Sequence, residues 1–345
     1  MPWTRPQLIE SDETASADFL NKRTLTYREA ILEGLDLLLK SDPDTYILGE
    51  GVDDASGIFG TTKGLVERYG TERVVDIPLA ENGMTGIAIG TALTGMRPIF
   101  VHMRPDFMIL ALDQLLNHAA KWSYMSNGEV PVPLTLRAVT GRGWGSAAQH
   151  SQNIQGLLTY MPGMKVVMPA TAYDAKGLLI AAVRDPNPVV ILEHRWLYDK
   201  KGYVPEGLYE TPIGKAYRCR EGSDLTIAAV STMVHEAMTA SEKLAATGIS
   251  IEVIDLRSIK PWDRDMVFAS VRKTGRLLVA DTGHAYGGVG AEIAASVMEN
   301  CWDALATSVR RIAIPEAPTP ASAKLEQLYY PDWKTLMAAT QEILG

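Results

Sequence analysis

Sulfur and positive charge are both scarce in this chain. Its 345 residues include two cysteines, Cys219 and Cys301, at no motif spacing, which excludes a disulfide framework and a cysteine-based zinc site. Lys and Arg total 33 against 41 Asp and Glu, a net charge of −8. With no Lys/Arg block to track a phosphate backbone, nucleic acid is not an expected partner. No apolar run approaches the roughly 18 residues of a membrane span, and the first residues lack the basic-then-apolar order of a signal peptide. These absences lead us to expect a cytoplasmic protein. The six histidines do not pair at metal-ligand spacing. There is neither a Gly-x-Ser-x-Gly elbow nor a Walker loop. What remains is ordinary globular composition, 46% apolar and 21% charged, at a length that suits two domains of roughly 100–200 residues each.

The pattern along the chain divides accordingly. Residues 1–21 are polar and aperiodic and read as an N-terminal extension. Thr26 and Glu29 form a capping-box signature, and Ile31, Leu35, Leu38 and Leu39 then share one helical face. Asp42-Pro43 should stop that helix. Short apolar strands are expected at 46–48, 74–77, 98–102, 133–136, 166–168 and 189–192, with helices over 82–94, 107–126 and 172–184. That alternation predicts an α/β domain with a parallel sheet covered on both faces. Residues 198–222 turn polar and irregular and mark a boundary. A second α/β unit follows, with strands at 225–230, 251–256, 276–280 and 311–314. Its helices are expected at 235–247, 264–274, 290–299 and 330–343.

Four stretches could carry chemistry. Glu81, in Pro78-Leu79-Ala80-Glu81-Asn82-Gly83, falls where a strand ends and a Gly/Ala-rich helix begins, the place where open α/β sheets hold ligands. A helix-capping carboxylate explains it as well. His150, between Gln149 and Ser151, follows the loop glycines Gly141, Gly143 and Gly145. It is either a catalytic imidazole or an exposed loop residue. His102, Arg104 and Asp106 cluster after another strand, as a polar pocket or as plain surface charge. The glycines of Gly283–Gly290 admit either a ligand near a helix start or close packing.

Taken together these segments resemble a known family. Along with Gly60-Thr61-Thr62-Lys63-Gly64-Leu65 they include Asp113-Gln114 and Gln149-His150-Ser151-Gln152. Further matching segments are Pro162-Gly163-Met164-Lys165-Val166-Val167, Val253-Ile254-Asp255-Leu256-Arg257 and Pro318-Thr319-Pro320. From about Arg23 onward the chain resembles the β subunit of the thiamine diphosphate-dependent decarboxylase component of 2-oxo acid dehydrogenase complexes, in the transketolase-like superfamily. The resemblance implies a pyrimidine-binding parallel-sheet domain over 22–205 and a transketolase C-terminal α/β domain over 206–345. It implies thiamine diphosphate, with Mg²⁺ and the diphosphate held mainly by an α subunit in an α₂β₂ heterotetramer; this chain has no Gly-Asp-Gly segment of its own.

By the same resemblance Glu81 bonds the aminopyrimidine, Leu79 and Phe107 pack beside it, and His150 serves proton transfer and acyl handover to a lipoyl acyltransferase. A structural K⁺ held by backbone carbonyls of Leu134, Ala182, Asp185 and Asn187 is also implied. Val101, His102, Arg104 and Pro105 depart from the family pattern. An imidazole and a guanidinium there, at His102 and Arg104, suit an anionic or hydroxylated substrate. A two-subunit transketolase-like carboligase that moves a ketol or acyl unit onto a sugar or metabolite is the alternative activity.

Overall fold

The computed structural model describes residues 23–345 apart from Ala55 and Trp144; the expected extension over 1–21 lies outside the described residues. Helix Tyr27–Ser41 starts at the anticipated capping box, in which Thr26 and Glu29 exchange hydrogen bonds, and it ends at Asp42. Its apolar stripe, Ile31, Leu35, Leu38 and Leu39, is buried against helix Ala172–Arg184. That second helix is covered over twelve of its thirteen residues. The buried Lys176 ammonium is satisfied by Glu33 Oε1 at 2.6 Å and the Pro205 carbonyl at 2.8 Å.

These helices cover one face of a seven-stranded sheet. Its order is Ser258–Lys260, Lys165–Val167, Val189–His194, Thr135–Thr140, Arg97–His102, Thr45–Gly49 and Val74–Asp76. All pairings are parallel except that of Ser258–Lys260, which runs antiparallel to Lys165–Val167. A five-stranded sheet follows, ordered Arg310–Ile314, Leu277–His284, Leu225–Ala229, Ile251–Asp255 and Tyr217–Arg220, antiparallel only at the last. Parallel strands buried on both faces account for the unbroken apolar runs seen in the sequence.

Several elements differ from the sequence reading. The strand expected at 133–136 runs over Thr135–Thr140, since Pro131 and Pro133 have no N–H to give to a ladder. The stretch 107–126 is broken into an α-turn at Pro105–Met108, a 3₁₀ turn at Ile109–Ala111, a π-helix at Gln114–Ala119 and an α-helix at Ala120–Met125. Helix 330–343 begins at Trp333, behind Pro331 and an Asp332 capping box. The irregular stretch 198–222 contributes two short strands, Lys201–Tyr203 paired with Thr24–Thr26, and Tyr217–Arg220.

Candidate active site

Because neighbouring strands are parallel, their carboxyl ends lie along one edge of the large sheet. Gly49 leads into Glu50, Asp76 into the Glu81 turn, His102 into Arg104 and Phe107, and Thr140 into the His150 loop. That shared edge is where an α/β sheet presents chemistry, and it gathers most of the residues singled out in the sequence.

Glu81 is the first residue of helix Glu81–Leu93. Its own surface is 9% exposed, while Leu79 two positions earlier is 80% exposed. Among the described residues the Glu81 carboxylate receives no hydrogen bond from its own chain. Glu50 lies close by. Burial first, then the Glu81 and Asp76 carboxylates, push the Glu50 carboxyl up. The sequence reading missed Glu50 as a site residue, although a carboxylate directly after a buried strand was a usable signal.

Phe107 is half-buried and His150 exposed, yet the two rings meet edge to face at 5.3 Å. Two contacts hold their segments together. The Gln152 N–H donates to Asp106 Oδ1 at 3.3 Å, and Arg104 Nη1 reaches the Val139 and Gly141 carbonyls at 3.5 and 3.4 Å. Asp106 is held up chiefly by burial. His102 is fully covered, its ring stacked on Phe100 at 4.2 Å. Burial pushes its imidazole down to about 3, so it is a neutral group at physiological pH. Burial also lowers the Arg104 guanidinium.

The glycines of 283–290 resolve toward packing: a Cβ on Gly288 would meet the His284 carbonyl oxygen at 2.0 Å. Leu134, Ala182, Asp185 and Asn187 gather at the turn behind helix Ala172–Arg184, away from the strand ends that carry Glu81 and His150. The Leu134 and Ala182 carbonyls each accept one backbone N–H there. The Asp185 carboxylate takes the Asn187 N–H at 2.9 Å and the Lys165 ammonium at 2.5 Å.

Residues 23–201 match the family model for the transketolase pyrimidine binding domain, and residues 214–336 that for the transketolase C-terminal domain. The chain is 41% identical over 335 residues to the acetoin:2,6-dichlorophenolindophenol oxidoreductase subunit beta of Bacillus subtilis, covering 94% of this chain and 98% of that one. It is 44% identical over 323 residues to the mitochondrial pyruvate dehydrogenase E1 component subunit beta-1 of Arabidopsis thaliana, covering 92% and 89%. The chain belongs to the family of β subunits of 2-oxo acid dehydrogenase decarboxylase components. A solved split-gene transketolase, described as an inactive beta4 tetramer, shares the fold of this β subunit. It matches at TM-score 0.76 and 24% identity, over 93% of this chain and 98% of that one. The high identities fall on dehydrogenase-type β subunits, which favours that activity over the carboligase. No helix among the described residues of the β subunit is long and apolar enough to cross a membrane.

The site suits the pyrimidine half of thiamine diphosphate. A covered carboxylate without a donor of its own is placed to bond a ring nitrogen, and Phe107 offers an apolar ring nearby. The described residues hold no cluster of three or more His, Cys, Asp or Glu able to bind a metal ion.

Proposed function

We propose that this β subunit supplies the aminopyrimidine half of a shared thiamine diphosphate site. An α subunit completes it with a Gly-Asp-Gly segment for Mg²⁺ and the diphosphate, in an α₂β₂ tetramer. The observation that carries this reading is the pairing of a buried, donor-free Glu81 with an open Leu79 beside it. A leucine left 80% exposed next to a buried carboxylate is what remains of a pocket when its other wall is missing.

Bound there, the cofactor would supply carbanion chemistry at a substrate carbonyl, with Glu81, Phe107 and Leu79 as the residues that would hold its pyrimidine ring. Glu81 shares a proton with the pyrimidine ring nitrogen, and Phe107 and Leu79 hold the ring and keep water from it. His150, braced against Phe107, moves protons at the open side and faces the acceptor. That acceptor is the lipoyl group of an acyltransferase partner. Relatives are named for acetoin and for pyruvate; both present a carbonyl carbon bearing a methyl group, and we assign the substrate to that class. Arg104 has Nε and Nη2 donors without partners among the described residues, available to a carboxylate or hydroxyl on the substrate. His102, being neutral, contributes shape and a single imidazole donor or acceptor. A K⁺ at the turn of Leu134, Ala182, Asp185 and Asn187 is part of the same proposal; the carbonyls of the first two keep a second lone pair each. We place the protein in the cytoplasm, consistent with two unpaired cysteines.

Titration calorimetry tests the shared site. Thiamine diphosphate with Mg²⁺ should bind tightly only after the α subunit is added. Tight Mg²⁺-dependent binding by this chain alone would sink the reading.

A further inference from the structure

His150 sits on a long connection between strand Thr135–Thr140 and helix Gln155–Tyr160. Beyond His150 it is held by the buried Ser151, Asn153 and Ile154, whereas its first part, residues 141–148, has little means of holding itself in place. Among the described residues of 141–148, Arg142 is the one side chain longer than serine. Gly141, Gly143, Gly145 and Ala147 all have left-handed φ, at 104°, 102°, 69° and 55°. The position of this first part of the loop therefore depends on a few outside contacts.

Arg142 makes the largest of these. Its guanidinium centre lies 3.7 Å from the Trp196 ring centroid and 4.1 Å from that of Tyr330. Trp196 belongs to the pyrimidine-binding domain, in the turn Arg195–Leu197. Tyr330 belongs to the C-terminal domain, directly after helix Ala323–Tyr329. The next residue repeats the link, since the Gly143 N–H donates to Glu326 Oε1 of that same helix at 2.7 Å. The fixture is closely fitted: a Cβ on Gly143 would come within 3.1 Å of Arg195 Nη2 and 3.4 Å of Trp196 Nε1. Ser146 closes the turn with a 2.7 Å bond to the Gly143 carbonyl, four residues before His150. Arg142 makes no ion pair among the described residues. A planar cation between two aromatic faces is an attractive contact in its own right, and here each face comes from a different domain.

We propose that Arg142 is a positioning residue for the handover step. By fastening the root of the His150 loop to the C-terminal domain, it fixes where His150 meets an incoming lipoyl group. Glu81 and Leu79 lie on another strand end, away from this fixture, and Phe107 is the part of the cofactor-binding wall that meets the loop, through the His150 ring. The proposal rests on the role given to His150 above.

The test uses the assembled α₂β₂ enzyme and two electron acceptors, an artificial dye such as 2,6-dichlorophenolindophenol and a lipoyl domain. The dye needs no handover by His150; the lipoyl domain does. In Arg142→Met, kcat/KM for the lipoyl domain should fall roughly ten- to a hundredfold, the scale on which small misplacements act. Dye turnover should stay within about threefold, because nothing made at the cofactor has been removed. Arg142→Lys, which restores charge but not planarity, should recover part of the loss. It carries the comparison if Arg142→Met fails to assemble. Equal losses with both acceptors, or an unchanged ratio between them, would overturn the proposal. A wild-type enzyme that turns over the dye but no lipoyl domain would instead refute the assigned role of His150, and this inference with it.

Discussion

Glu81 is a carboxyl group under cover that receives no hydrogen bond from its own chain. In the proposed shared site its partner is the pyrimidine ring nitrogen. Glu81→Gln keeps the shape and loses the shared proton. In the assembled enzyme, turnover should fall by about 10²–10⁴-fold, the usual worth of a general acid–base group, while the melting temperature changes little. Deuterium exchange at the reactive thiazolium carbon is the direct readout. Exchange at the wild-type rate would remove Glu81 from the chemistry. Glu50 belongs to the same argument: its carboxyl, held up by burial and by Glu81 and Asp76, is a group through which a substitution at Glu81 should be felt.

At the scale of elements, the chain is most exacting where backbones touch. Gly163 has φ +93°, and a Cβ there would lie 1.9 Å from the Ala120 carbonyl oxygen, the start of helix Ala120–Met125. A backbone acceptor cannot swing aside as a flexible side chain would. Gly163→Ala should destabilise the chain by roughly 3 kcal/mol or more, in the range reserved for such strain, measurable as a drop in the urea midpoint at unchanged slope. A change under about 0.5 kcal/mol, ordinary for an open surface site, would show that the helix can retreat.

The same scale shows what could be read from the sequence. Helix Tyr27–Ser41 was legible because cap, stripe and stop all agree, and Arg264–Thr274 because Asp263 caps it and Gly275 ends it. The π-helix at Gln114–Ala119 was not, since its hydrogen bonds leave no distinct apolar period. Tertiary contacts mark it instead, such as Gln114 Nε2 to Asn82 Oδ1 at 3.2 Å. Strand Ser258–Lys260 is too short to alternate visibly and exists because a sheet edge lies beside it. Of the site, Glu81, Phe107 and His150 carried signals in their own neighbourhoods. The Arg142 sandwich did not, because Trp196 and Tyr330 lie far along the chain and come together only through the fold.

The whole molecule should respond to acid through its buried imidazoles. Burial holds His102 and His194 down at about 3 and His235 at about 4, with Arg142, Arg195 and Arg104 adding to the effect at His194. In the unfolded chain each takes a proton near pH 6.5. Between those values the unfolded state binds more protons, so this stabilisation is complete above about pH 6.5 and is lost as pH falls toward the folded values. The loss is roughly 1 kcal/mol per histidine per pH unit. Asp255 works the other way. Burial, then the Asp174 charge, raise its carboxyl, so its contribution is largest in acid and fades as pH rises. Glu50, Asp106, Glu236 and Asp281, also raised by burial, act with Asp255, so the histidine contribution is isolated by comparing urea midpoints of wild type and a histidine variant from pH 6.5 to 4.5. His102→Phe, which keeps a ring against Phe100, should raise the midpoint at pH 4.5 relative to that at pH 6.5. An unchanged difference would mean that His102 is already protonated in the folded chain.

Strand Ser258–Lys260 completes the edge of a sheet otherwise made from residues 45–194. Synthesis runs from the N-terminus and domains tend to fold as they emerge. The pyrimidine-binding domain must therefore wait, with the N–H and C=O groups of Lys165–Val167 open, until the ribosome has passed Lys260. An open edge recruits whatever strand is at hand. On a polysome the nearest candidates are the same segments of neighbouring nascent chains, so the interval between Val167 and Lys260 is when a chaperone would matter most.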